Sequence, residues 1–525
     1  MKTILTILIF VHCFPSVYGQ YSNVTLQFNN VSARVTNAGT FFNNSAISTG
    51  AYEIPAGSSI KAFYTASFWF GGTTVQSGDL RLSATTWTPD KELFPGPYSI
   101  TGNYDPTNNY IWSVTRNQIL DHINNYDQQG YIIPAPIANW PGNGDLSKGE
   151  AFNLAPFIDM NNNNLYEPHL GEYPEIRGDK AVYMIMNDDE KTHTTGTDAI
   201  GIEVHLMFYQ YASNDYLNNT TFINLRVFNR GVESYNDFTS SLFSDMDLGN
   251  YADDYFGSDE SRNMIFSYNG DNYDENNSVF GYGQDPPSVG IVSLSSPLSS
   301  ACTFSNSVNY PYSDPSSVAG YWNFMNGKWA DGSNWYYGGY GYVGSPGVTN
   351  TPTSFIYSGD PNNIGEWSEF NLNNIPGDRR ALLNIGPQVL GAGQSICQDF
   401  AIIYNRTTGN AVENVTGLKT IADDVQSFFN NQNFNCQQVT ASKSEVKSLF
   451  ANIRPNPSKG SFNIALGHVI SGGKMTITNV SGRVVYTSNI DQTNNIKVVL
   501  TEPAGVYFVH ITSDGGKMTE KIIIE

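Results

Sequence analysis

The stretch Ile200-Gly201-Ile202-Glu203-Val204-His205-Leu206-Met207-Phe208-Tyr209-Gln210-Tyr211 alternates with a period of two. Ile202, Val204, Leu206 and Phe208 face one way, and Glu203, His205, Met207 and Tyr209 face the other, as on a β-strand. Glu203 and His205 become neighbours on one face. They read as a polar strand face in preference to a metal or acid–base pair. Similar runs stand at Ile60 to Phe70, Ala181 to Met186, Thr221 to Asn229 and Ser395 to Tyr404. No heptad and no long-period repeat interrupts them. The pattern predicts a mainly β chain: a multi-domain β-sandwich body with long loops and one short helix. That helix is expected where Leu418, Ile421, Val425 and Phe428 share a face.

Composition agrees with this reading. The 525 residues include 58 Asn and 48 Gly, both turn formers, and 13% are aromatic. Only 14% are charged, so neither a disordered chain nor a coiled coil fits. The 27 basic and 48 acidic residues leave a formal charge of 27 − 48 = −21, which excludes nucleic acid as an expected partner.

The N-terminus reads as a secretory signal over 1–19. Lys2 precedes the apolar run Ile4 to Val11, and small Gly19 ends the segment, so cleavage would expose Gln20. No later run is apolar enough, at about 18 residues, to predict a transmembrane helix. Export permits disulfides. Beyond the signal segment stand Cys302, Cys397 and Cys436, enough for one bridge, with Cys397–Cys436 favoured because the two bracket the expected helix.

The C-terminal region is punctuated differently. After the polar stretch Gln437 to Lys447 comes Asn452-Ile453-Arg454-Pro455-Asn456-Pro457-Ser458-Lys459-Gly460, followed by six short alternating strands ending in Met518 to Ile524. Turns at Gly472-Gly473, Ser481-Gly482 and Asp514-Gly515-Gly516 separate them, which predicts a small Ig-like β-sandwich. Its motif residues are Pro455, Asn456, Pro457, Gly460, Gly482, Gly505, Tyr507 and Lys521. In order and spacing they resemble the type A C-terminal sorting domain that Bacteroidetes use for type IX secretion. The resemblance covers about 449–525. It implies passage through the periplasm to the secreted or outer-surface state, with the type IX translocon and its surface processing and attachment machinery as partners. The expected organisation is a signal peptide 1–19, an N-terminal β domain 20–145, a main body 146–440 with acidic loops, a linker 441–448 and the sorting domain 449–525.

The body carries Tyr52-Glu53-Ile54-Pro55, Phe68-Trp69-Phe70-Gly71-Gly72, Asp245-Met246-Asp247-Leu248-Gly249 and Gly377-Asp378-Arg379-Arg380. In this order the motifs resemble large surface proteins of the same bacteria that have no established activity. That implies a shared fold and carries no catalytic residue across.

Chemistry in the body rests on carboxylates. In Asp159-Met160-Asn161-Asn162-Asn163-Asn164-Leu165-Tyr166-Glu167, oxygen-bearing side chains fall at positions 1, 3, 5 and 9. This is the opening of an EF-hand-type calcium loop: Asp159, Asn161, Asn163 and Glu167 would point into one concavity. Position 6 lacks Gly, and position 12 is Leu170, leaving Glu172 or Asp179 as the remote ligand. An Asn-rich turn closed by side chain–backbone bonds fits the same residues. A second cluster holds Asp245, Asp247, Asp253, Asp254, Asp259 and Glu260, then Asp271, Asp274 and Glu275. Oxygen-only ligands point to a hard cation, calcium before magnesium; a solvated acidic loop and a catalytic carboxylate pair are the alternatives. Trp335-Tyr336-Tyr337-Gly338-Gly339-Tyr340-Gly341-Tyr342 offers rings for sugar stacking or for packing between sheets. No His-Glu-x-x-His helix, Gly-x-Ser-x-Gly elbow or phosphate loop occurs. The sequence predicts a calcium-stabilised, structural or adhesive surface protein with no assigned catalytic residue. A protein that binds or hydrolyses extracellular polysaccharide is the alternative, and a filament subunit is a third.

Overall fold

The computed structural model describes residues 21–432, 434 and 451–525, apart from 88, 90, 103–109, 189–192, 307–311, 408, 471, 480–482 and 514–515. The expected signal peptide 1–19, linker 441–448, Cys436 and Gly482 lie outside the described residues. Ile202–Gln210 is a strand, and it is buried along its whole length. It pairs antiparallel with Lys180–Asn187 on one side and Thr221–Asn229 on the other. Ser395–Asn405, Ser288–Ser293, Met264–Asn269 and Asp254–Asp259 continue this nine-stranded sheet. A ten-stranded sheet is built around Thr65–Thr73, Tyr235–Asp245, Arg380–Leu390 and Ser300–Phe304.

The two sheets share a core. Ile202, Val204, Leu206 and Phe208 meet Phe41, Phe68, Phe70 and Leu242 there, and the Phe68 and Phe400 rings stand 5.5 Å apart. The opposite face of the nine-stranded sheet is covered as well. Met207, Tyr209, Phe222, Phe266 and Ile403 pack beneath Ala411–Asn431. That helix has 21 residues, not the short segment expected. Asn410 opens it with a capping box to Glu413, which satisfies two of the first-turn N–H groups. Its buried stripe runs Val415, Leu418, Ala422, Val425 and Phe429. Ile421 and Phe428, expected on the buried face, pack only partly against it.

With both faces covered, Glu203 and His205 are buried instead of forming an exposed polar face. Arg230 donates to Glu203 from Nε at 3.1 Å and Nη2 at 2.6 Å, while the backbone N–H of Tyr98 donates to the other oxygen at 2.9 Å. His205 Nε2 lies 3.0 Å from Glu203, and its Nδ1 lies 2.6 Å from the Tyr183 hydroxyl. Burial pushes the Glu203 carboxyl up, but Arg230 and His205 outweigh it and hold the carboxyl down to about 2. The group is a satisfied structural ion network.

The chain divides into two units, Met1–Gln438 and Val439–Glu525. No boundary falls at 145, contrary to the expected division into 20–145 and 146–440. Thr65–Thr73 pairs with Tyr235–Asp245, and Ile111–Thr115 pairs with Lys180–Asn187, so strands from both segments share both sheets. Of the cysteines, Cys397 is disulfide-bonded and Cys302 is free and buried.

The second unit is a sandwich of a three-stranded and a four-stranded sheet. Phe462, Ile464, Met475, Ile477, Val498, Val509, Ile511 and Ile522 fill it. The motif residues have structural reasons. Asn456 donates to the Lys521 carbonyl at 2.8 Å and accepts from the Ile523 N–H at 3.0 Å, clamping the last strand. Gly460 has φ +94, and a Cβ there would sit 2.6 Å from the Leu500 carbonyl oxygen. The Tyr507 hydroxyl donates to the Pro503 carbonyl at 2.7 Å.

Candidate cation site

Strand pairing assembles the site. Asp245, the last residue of Tyr235–Asp245, pairs with Thr65 on one side and Arg380 on the other. Arg380 pairs in turn with Phe304. The chain leaves Asp245 through Asp247 and turns at Gly249, whose φ of +76 suits glycine and where a Cβ would meet Asp274. Asp378 enters from the segment before Arg380. One carboxylate oxygen each from Asp245, Asp247 and Asp378 come within 4.8 Å of one another. Among the described residues no other three His, Cys, Asp or Glu side chains converge in this way.

Asp245 is buried, 2% exposed. The Trp87 Nε1–H donates to its Oδ2 at 2.8 Å, and Arg380 Nη2 lies 3.5 Å from the same oxygen. Oδ1 has no hydrogen-bond partner. Arg380 also pairs with Asp378 and, from Nε at 3.7 Å, with Asp314. Its guanidinium lies over the Trp87 ring, 5.3 Å from the centroid. Asn306 donates to Asp378 Oδ2 at 3.0 Å. Three carboxylates therefore pair with one guanidinium, and Asp247 converges on two of them. Burial pushes Asp245 up to about 7, with Asp378 and Asp314 adding to the shift against Arg380. Burial, then Asp245 and Asp378, raise Asp247 well above the carboxylate range. Burial pushes Asp314 up to about 6.

This donor set fits a hard divalent cation. Calcium bonds oxygen at roughly 2.4 Å, so its ligand oxygens lie within about 5 Å of each other. Two positive charges would offset most of the negative excess that Arg380 leaves, and the orphaned Oδ1 of Asp245 would gain a partner. The sequence pointed to Asp245 and Asp247 and missed Asp378. The distant Gly377-Asp378-Arg379-Arg380 motif was the available signal.

The other predicted ligands are placed differently. Asp259 is a correction: Arg262 Nη1 at 2.9 Å and Lys419 Nζ at 3.8 Å already neutralise it. Burial raises its carboxyl, but Ser261, Arg262 and Lys419 outweigh that and hold it below the usual range. Asp253 and Asp254 stand beside Asp274. Asp254 Oδ2 accepts from the Leu248 N–H at 2.9 Å, and Asp274 accepts from Asn250 at 3.1 Å and Tyr282 at 2.6 Å. Both Asp253 oxygens lack hydrogen-bond partners, and burial with the neighbouring Asp274 pushes Asp253 up to about 7.

The Asp159 loop closes on itself. Asp159 Oδ1 accepts from the N–H groups of Asn161, Asn162 and Asn163, and Oδ2 from that of Asn164 at 2.7 Å. Asn161 and Asn163 donate their amides to Glu167 Oε2 at 3.2 and 2.6 Å. Of the two remote candidates, Glu172 reaches the loop, accepting from the Met160 and Glu167 N–H groups at 3.2 and 2.7 Å. Asp179 instead accepts from Ala212 at 2.9 Å. In the Trp335–Tyr342 run, Trp335 is core and 1% exposed, whereas Tyr337 and Tyr340 are exposed.

Residues 452–525 match the family model described as the secretion system C-terminal sorting domain. The segment is a sorting domain. The chain is a type IX secretion cargo, exported to the cell surface or secreted, and its sorting domain is handled by the type IX machinery. Among the described residues no helix is long and apolar enough to cross a membrane.

Similar solved structures include an immunoglobulin-like β-sandwich protein of the DUF3244 family from Bacteroides vulgatus, at 20% identity over 15% of this chain and 96% of that one, TM-score 0.13. A polysaccharide lyase is similar at 7% identity over 61% of this chain and 34% of its own, TM-score 0.20. The BSP domain of a biofilm-associated protein is similar at 9% identity over 96% and 80%, TM-score 0.15. No curated protein matches the chain.

Proposed function

We propose that the exported body is a structural or adhesive surface domain that calcium holds rigid at Asp245, Asp247 and Asp378. The observation that carries this is the convergence of three carboxylate oxygens with a buried, unpartnered Asp245 Oδ1. Asp245 joins the two long strands on either side of it, so an ion there ties Thr65, Asp245 and Arg380 into one end of the sheet. Calcium is plentiful outside the cell, which suits a protein that completes its folding there. The Asp159-Asn161-Asn163-Glu167 loop is proposed as a second calcium position, where an ion would take the carboxylates in place of the loop's own donors.

Thermal unfolding across pH, in calcium and in chelator, tests this. A raised carboxyl pKa means that the folded state keeps a proton which the unfolded chain releases. With Asp245 up to about 7, its contribution is fully present below about pH 4 and is lost as pH rises toward 7. In chelator the melting temperature should therefore fall across that window relative to the calcium curve. At neutral pH saturating calcium should restore on the order of 5 °C. Coincident curves would remove calcium from the account.

A further inference from the structure

The calcium reading leaves a coordination shell to complete. Calcium takes six to eight oxygens, and the converging side chains offer one each from Asp245, Asp247 and Asp378. Of the three, Asp247 alone also borders a cavity, one of about 380 Å³, and it is only partly buried. That volume lies within the range of small-ligand pockets. Its lining has the chemistry of a sugar site. Lys61, ion-paired with Glu53 at 3.4 Å, and Ser278 line it together with Asp247, and Tyr64 and Tyr251 supply rings with polar ends. Phe280 lines the same cavity while 61% of it is exposed. An apolar ring left in water beside a polar cavity offers a stacking face that the fold itself does not use.

We propose that this cavity binds a neutral sugar whose vicinal hydroxyls complete the coordination of a calcium ion held by Asp245, Asp247 and Asp378, with Phe280 stacking on the ring. The proposal rests on the calcium reading above. Calcium fixes the orientation of the two hydroxyls, and the cavity wall selects the rest of the ring. A neutral ligand is favoured over an acidic one because the chain carries a formal charge of −21, which repels polyanions. The sugar could come from the cell's own surface polysaccharide or from glycans around it; both present the same diol chemistry.

Affinity electrophoresis of the purified protein through gels containing mannan, galactomannan or alginate, each in calcium and in chelator, tests the proposal. Retardation by a neutral polysaccharide in calcium, lost in chelator, is expected. Phe280→Ala should weaken it by about tenfold, the cost of one aromatic stacking contact. Repeating the gels with the producing cell's purified surface polysaccharide separates the two sources. Binding to alginate alone, binding that persists in chelator, or an unchanged Phe280→Ala affinity overturns the proposal. If calcium still raises the melting temperature but neither neutral polysaccharide is bound, the sugar site falls and the calcium site stands. If calcium has no effect on melting, both fall.

Discussion

A chain ending at Phe450 should fold its body and remain in the periplasm, with none delivered to the surface. The sorting unit has its own two sheets and its own core, so its removal takes no side chain from the body's buried clusters. The last strand, Gly516–Ile524, pairs along its length with Gly505–Ser513, and Asn456 holds its far edge from two sides. Asn456→Ala should therefore loosen the unit and slow export without abolishing it. Cell fractionation with protease shaving of intact cells reads both variants. Surface delivery of the truncated chain would show that targeting information lies elsewhere.

Trp69→Ala should cost the body about 3–5 kcal/mol, the range for deleting a fully buried large aromatic. Trp69 is 0% exposed. Its ring stacks on Phe243 at 5.2 Å and meets Tyr321 edge-on at 5.1 Å, while Nε1 donates to the Thr85 carbonyl at 2.6 Å. The indole thus joins the centre of the ten-stranded sheet to the helix Val318–Met325. Trp69→Phe keeps most of the apolar contact and should lose roughly half as much. Urea unfolding monitored by circular dichroism measures both. A Trp69→Ala loss below about 1 kcal/mol would contradict the packing described.

Local pattern carried much of this architecture. The period of two at Ile202 to Phe208 places those side chains in the inter-sheet core, and Leu418 and Val425 of the expected helix face are buried in the long helix. The Pro455-Asn456-Pro457 motif marks the start of the sorting unit. Long-range pairing was not legible. Glu203 and His205 do share one face, but its burial was not legible, because Tyr98, Tyr183 and Arg230, which enclose the pair, come from other strands and loops; apolar Met207 and Tyr209 on the same face were the hint. The boundary at 145 fails for the same reason, since sheet order does not follow chain order.

The acidic cluster shows the limit more sharply. Nearness in sequence grouped Asp259 with Asp245, yet Lys419 of the helix and Arg262 claim it. The third carboxylate, Asp378, arrives only because Asp245 pairs with Arg380 across two adjacent strands. Spacing can suggest that a cation is needed. Strand register decides which oxygens would meet it.

Trp87 offers a direct probe of that meeting point, because its Nε1–H donates to Asp245. Terbium binds the same hard oxygen ligands as calcium and emits when a nearby indole is excited. Titrating terbium into the purified protein with tryptophan excitation should give sensitised emission that calcium displaces. Trp87→Phe should remove most of that emission, and Asp378→Asn should weaken terbium binding by about tenfold or more. Absence of sensitised emission, or emission unchanged in Asp378→Asn, would contradict a cation site at Asp245, Asp247 and Asp378.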